Sequence, residues 1–146
     1  MPNKTKIIVK SSFFTTLAMI CYFFFLRGIQ LDEVPALRIV NFLFIFTGVN
    51  YAIEKNIYVN YETQYWKNFW VGIYTSLLTV VLAICTLLMY INYVQPSFIV
   101  ILQHHFFFWE HQFSLPIIFL IIVLQGLIIS IISTFLILQI HRKKNT

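Results

Sequence analysis

Four long apolar stretches, separated by short polar segments, run along the chain and predict four helices. The first covers 12–31, after which Asp32 and Glu33 mark a return to water and Pro35 restarts the chain near the first turn of the next helix. The second, 36–53, is just long enough for ~30 Å of hydrocarbon and ends at Glu54, Lys55 and Asn56. The third, 68–94, is roughly 40 Å long as a helix, so it must tilt or project from the bilayer; Pro96 closes it. The fourth, 115–140, opens at Pro116 and ends in His141, Arg142, Lys143 and Lys144. Short turns make the first two an antiparallel hairpin. The loop before the third is rich in Tyr58, Tyr61, Tyr65 and Trp66, rings that favour the headgroup region.

Polar residues inside the stretches are ordered. Gly72, Ser76, Thr79, Ala83, Thr86 and Tyr90 recur at spacings of four and three, and five of the six are small. Such a face lets a neighbouring backbone approach closely, with the 3.5-residue period of a left-handed crossing. Gly126, Ser130 and Thr134, with Ser133 beside them, answer it on the fourth helix. Helix packing is the leading reading of both stripes, and a permeation path lined by hydroxyls is the alternative. Three amides, Asn41, Asn50 and Gln125, also fall within spans and need interhelical partners or a polar solute.

The segment 97–114 carries neither Lys nor Arg. Ser97, His104 and His111 are seven apart, with Gln103 and Glu110 running beside them, so polar groups form one narrow stripe of a largely apolar helix. That pattern predicts an interfacial amphipathic helix between the third and fourth spans, with a re-entrant segment as the alternative.

Composition makes lipid the solvent. Hydrophobic residues make up 60% and charged residues 10%, whereas a soluble domain carries about a quarter charged. Of ten Lys and Arg, eight lie in the N-terminal tail (Lys4, Lys6, Lys10), the middle loop (Lys55, Lys67) or the C-terminal tail. The positive-inside rule then puts both termini in the cytoplasm. The apolar run from Phe13 to Leu26 reads as an uncleaved signal anchor, because Arg27, Gly28, Ile29 and Gln30 follow it without a small-x-small cleavage site. The basic residues are too few and scattered for a nucleic-acid groove. Cys21 and Cys85 differ in predicted depth by roughly 13 Å, too far for a disulfide, and are expected to be buried thiols.

Candidate chemistry is sparse. No Asp, Glu, Lys or His lies near the centre of any span, which disfavours ion-driven transport. His104, His105, Glu110 and His111 are the one cluster with metal-ligand side chains, but their spacing suits an interfacial stripe better than a metal site, and no His-Glu-x-x-His is present. No nucleophile–base pair or phosphate loop is found, so no catalytic residue, cofactor or metal is assigned.

Three motifs carry a resemblance: Tyr65-Trp-Lys-Asn-Phe-Trp-Val-Gly-Ile, Tyr90-Ile-Asn-Tyr-Val-Gln-Pro-Ser-Phe, and Gln125-Gly-Leu-Ile-Ile-Ser. Their order resembles a family of small four-span bacterial integral-membrane proteins that carries only a domain-of-unknown-function label. The resemblance implies four spans and a short basic C-terminal tail, and it implies no activity. This chain departs from it in a third loop richer in Phe and His and poorer in charge.

The expectation is therefore an all-α, single-domain, four-helix transmembrane bundle covering 1–146, with an interfacial helix. Its expected role is that of a non-enzymatic structural or interaction component that packs against lipid, copies of itself or other membrane proteins. An oligomeric passive channel or facilitator lined by Thr79, Thr86 and Gln125 is the second expectation.

Overall fold

A computed structural model of the chain describes residues 2–31, 39–100 and 114–144. The long elements are all helices: α1 (Pro2–Gly28), α2 (Val40–Asn60), α3 (Tyr65–Tyr93) and α4 (Leu115–Lys144). There is no strand among the described residues. α3 packs against all three other helices, α1 also packs on α2, and α2 makes a smaller contact with α4.

Among the described residues, three helical segments are long and apolar enough to cross a membrane: Asn3–Gly28, Tyr65–Tyr93 and Pro116–His141. α2 is not among them, because its 21 residues include Asn41, Asn50, Asn56 and Asn60 as well as Glu54 and Lys55.

The helices also extend beyond the predicted spans. α1 begins at Pro2 instead of 12, since Pro suits a first helical position and lysines propagate helix well. α2 continues through Glu54 and Lys55 to Asn60 and stops at Tyr61, which adopts a left-handed conformation (φ 51°) and donates its N–H to the Asn56 carbonyl. α4 continues to Lys144. Charges mark where hydrocarbon ends; they do not end a helix. The predicted start of the second span at 36 lies outside the described residues.

Burial is inverted relative to a water-soluble fold. The interior contains Ser11, Ser12, Thr15, Thr16, Thr75, Ser76, Thr79, Ser130, Ser133 and Thr134, all buried. Phe13, Phe14, Phe25, Met89, Leu120 and Ile128 face outward. Water would penalise that outer shell, whereas lipid tails solvate it and leave hydroxyls to seek partners inside. Cys21 and Cys85 are free thiols on this outer shell, which corrects the expectation that they are buried. A weakly polar thiol costs little in lipid, so nothing forces it inward.

Two apolar clusters remain inside. Ile45, Val49 and Ile53 of α2 pack with Val80 of α3 and with Ile137 and Leu138 of α4. Towards the C-terminal end of α3, Phe23, Tyr90 and Phe98 form an edge-to-face trio with ring centroids 5.2, 5.4 and 5.6 Å apart. The Arg27 guanidinium lies 5.3 Å from the Tyr90 ring centre.

Glycines set the closest approaches. A Cβ at Gly48 would run into Thr15 of α1, and one at Gly72 would come within 2.5 Å of Thr134 Cγ2 of α4. A Cβ at Gly28 would meet nothing within 4 Å. Gly48→Ala and Gly72→Ala should therefore each lower stability by about 1–3 kcal/mol through overpacking, with Gly28→Ala close to wild type. Thermal unfolding in mild detergent checks this; three equal melting curves would refute the close approaches.

Candidate functional site

The most distinctive chemistry is the buried hydroxyl seam. A Ser or Thr within a helix can donate back to the carbonyl one turn earlier. Thr15 does so to Ser11 (2.8 Å), Thr16 to Ser12 (2.9 Å), Thr75 to Val71 (2.8 Å), Thr79 to Thr75 (2.8 Å) and Thr86 to Leu82 (2.9 Å). Those hydroxyl protons are already committed. A few others tie helices together: Ser11 Oγ donates to the Gly48 carbonyl of α2 (2.6 Å), and Ser12 Oγ to the Thr75 carbonyl of α3 (2.8 Å). The Ser76 and Ser130 hydroxyls share a hydrogen bond between α3 and α4.

At the end of the molecule where α2 turns into α3 lies a second polar cluster, made of amides. Asn56 Nδ2 donates to Asn68 Oδ1 (2.7 Å), and Asn60 Nδ2 donates to Asn56 Oδ1 (2.8 Å). Asn68 Nδ2 in turn donates to the Glu62 carbonyl (2.8 Å), so the network clamps the four-residue turn 61–64. Asn56 and Asn68 are almost wholly buried. Sequence reasoning missed this cluster by treating both residues as span boundaries; the signal was the amide repeat at 56 and 60 facing a third amide across a short turn.

Beside the clamp, Lys67 Nζ lies 2.9 Å from Glu62 Oε2. The hydrogen bond from Lys67 holds the Glu62 carboxyl below its usual range. The resulting stabilisation is complete above the ordinary carboxylate pKa and is lost as pH falls through the lowered value.

The sequence-predicted positions fall as follows. Gly72, Ser76 and Thr79 are buried, while Ala83 and Thr86 are half-buried. On α4, Gly126, Ser130 and Thr134 are buried, with Gly126 against Val80, Ser130 on Ser76 and Thr134 against Gly72. Asn50 Oδ1 and His141 Nε2 lie 3.2 Å apart, a hydrogen bond when that nitrogen carries the proton. Asn41 Oδ1, Ser133 Oγ and Thr134 Oγ1 are buried without a hydrogen-bond partner among the described residues. Gln125 is exposed on the outer shell, so it does not share an interior surface with buried Thr79. His104 and His111, with most of the predicted interfacial helix, lie outside the described residues. Of that segment, Ser97 is exposed and Phe98 is buried against Tyr90.

Aromatic residues band the clamp end. Tyr58, Tyr61, Trp66, Trp70 and Tyr74 are exposed there, and Lys10 and Lys55 lie over Phe14 and Tyr51 at 6.0 and 5.7 Å. Tyr93 is exposed at the opposite end of α3. Trp70 and Tyr93 are separated by roughly 34 Å along the helix, close to the thickness of a bilayer core flanked by two interfacial rings.

The amide clamp predicts strong coupling. Asn68→Leu should cost about 1–3 kcal/mol by stranding Asn56. The double change Asn56→Leu/Asn68→Leu should cost less than the two single losses added together. Thermal unfolding of the four proteins measures this; additivity within about 0.5 kcal/mol would mean the amides do not interact.

Compared with protein families, curated proteins and solved structures, the chain matches none.

Proposed function

We propose that this chain is a four-span, non-enzymatic protein of a bacterial inner membrane that serves as a structural or interaction component. Both termini face the cytoplasm and the segment 97–114 lies on the outer side. The observation that carries this reading is that most interior polar groups, Asn41 Oδ1, Ser133 Oγ and Thr134 Oγ1 excepted, are spent on the protein's own helices. Hydroxyls bonded to the preceding turn of their own helix, and amides bonded between helices, offer little to a substrate. The buried clusters combine neither a nucleophile with a base nor an ionisable group with a partner.

Chain direction supports a fourth crossing by α2. Ser12 meets Thr75, and each lies ten residues beyond the first residue of its helix, Pro2 or Tyr65. Near the other end, Phe23 meets Tyr90. α1 and α3 therefore run side by side in the same direction. The chain leaves α1 at one end and enters α3 at the other, and an α2 that runs back between them supports a fourth crossing. Its Ser11–Gly48 and Asn56–Asn68 bonds lie progressively closer to the clamp end, as that return requires. Glu54 and Lys55 then fall in its last turns, at the end shared with Lys4, Lys6, Lys10 and Lys67.

Orientation is tested by fusing reporters after Lys144. A cytoplasmic reporter should be active and a periplasmic one silent; the reverse overturns the topology. Purified protein in liposomes should pass ions and small polar solutes no faster than empty vesicles. Flux above that background would replace the structural reading with that of a passive pathway.

A further inference from the structure

Gln125 is a polar group that the fold leaves unused on its outer shell. Its neighbour Gly126 packs on Val80, near the middle of α3 and midway between Trp70 and Tyr90. That contact places Gln125 about 15 Å from either aromatic level, at the centre of the apolar shell. Yet Gln125 is exposed, and its side chain has no hydrogen-bond partner among the described residues. An amide in hydrocarbon without partners is costly, since lipid tails offer neither donor nor acceptor.

The residues around it form a pattern. Gln125, Ile128, Ile132, Phe135 and Gln139 are spaced three, four, three and four apart, and all five are exposed. They lie on the side of α4 opposite Ser130, Ser133, Thr134 and Ile137, the buried face. The period is that of a left-handed helix–helix seam, and a polar residue at one core position of such a seam fixes its register. The α3-facing stripe of α4 is already occupied, so this is a second, outward seam.

We propose that this seam is the contact between two copies of the chain, with Gln125 of each bonded to Gln125 of the other. The proposal rests on the membrane-spanning reading above. Copies inserted in one orientation have parallel α4 helices, and a two-fold axis along the membrane normal brings identical positions face to face. An amide is self-complementary under that symmetry, because each N–H donates to the other's carbonyl oxygen. A charged partner, donor-only or acceptor-only, would meet one half of that chemistry, whereas a second copy meets both. Ile128, Ile132 and Phe135 then interlock below the amide pair, and Gln139 closes the seam near the basic end.

Disulfide cross-linking in native membranes tests the seam. The background is the full chain with Cys21→Ala and Cys85→Ala, carrying one cysteine at 128, 132 or 135, or at the flanking control positions 120 or 123. A membrane-permeant oxidant should give covalent dimers at 128, 132 and 135, and several-fold less at 120 and 123. Equal or absent cross-linking at all five positions overturns the proposal. In liposomes, Gln125→Leu should weaken self-association measured by dilution of fluorescently labelled protein about tenfold, while leaving the melting curve unchanged. Gln125→Asn, which keeps an amide, should recover part of the loss. Undiminished association of Gln125→Leu also overturns it. Failure of the membrane reading would show separately, as release of the wild-type chain from membranes by alkaline carbonate.

Discussion

Hydrogen bonds have no solvent competitor in the core of a bilayer, and that constraint organises this molecule. An Asn amide that faces lipid loses its partners and a Ser hydroxyl keeps only a carbonyl of its own helix, while a Phe or Ile there loses nothing. The inverted burial follows directly. Ser11, Ser12, Thr75, Ser76 and Ser130 turn inward and find carbonyls or one another, and Phe13, Phe14, Met89 and Ile128 turn out. In lipid there is little hydrophobic force to pull helices together, so these short polar ties and the glycine contacts carry much of the association. Their placement is economical. α1 is tied to α2 at Gly48, α1 to α3 at Thr75, α2 to α3 at Asn68 and α3 to α4 at Ser130.

Those ties also fix how the helices are threaded. The Ser12–Thr75 bond sets α1 and α3 level, and the Phe23–Tyr90 contact shows that they stay level further along. α2 is the element least suited to hydrocarbon by composition, with four Asn and two charges in 21 residues. Its position is nevertheless determined, because several of its groups meet partners on other helices. Gly48 receives Ser11, Asn50 lies against His141, and Asn56 joins Asn68. A helix with this many polar groups is stabilised by neighbours that supply partners for several of them.

The general architecture was legible because its signals are local and additive. Apolar runs give helices and the clustering of basic residues gives one end. The four-and-three spacing from Gly72 to Thr79 marked a face that the fold buries against α4. What was not legible depends on pairing between distant segments. Asn56 and Asn68 looked like punctuation at span boundaries, and only the turn 61–64 brings them together. Helix ends were misplaced for a related reason: Lys4 and Lys55 report the edge of the hydrocarbon, whereas a helix continues until a residue such as Tyr61 leaves helical φ and ψ. The thiols of Cys21 and Cys85 are too weakly polar for either side of the shell to claim them by sequence alone.

Gln125 and Asn56 show why an amide in an apolar chain has no fixed meaning in a sequence. Both are neutral amides on long helices, and both have the same appetite for two donors and two acceptors. Asn56 lies where a second helix brings Asn68 within reach, so its bonds are made inside one chain. Gln125 is one residue from Gly126, which takes the inward position against Val80 and turns the amide outward by the geometry of a helix. The small residue that lets α3 and α4 approach thus exports the neighbouring polar group to the surface. Close packing within the chain and unsatisfied bonding capacity outside it have a single origin on α4, and the outward seam follows from the inward one.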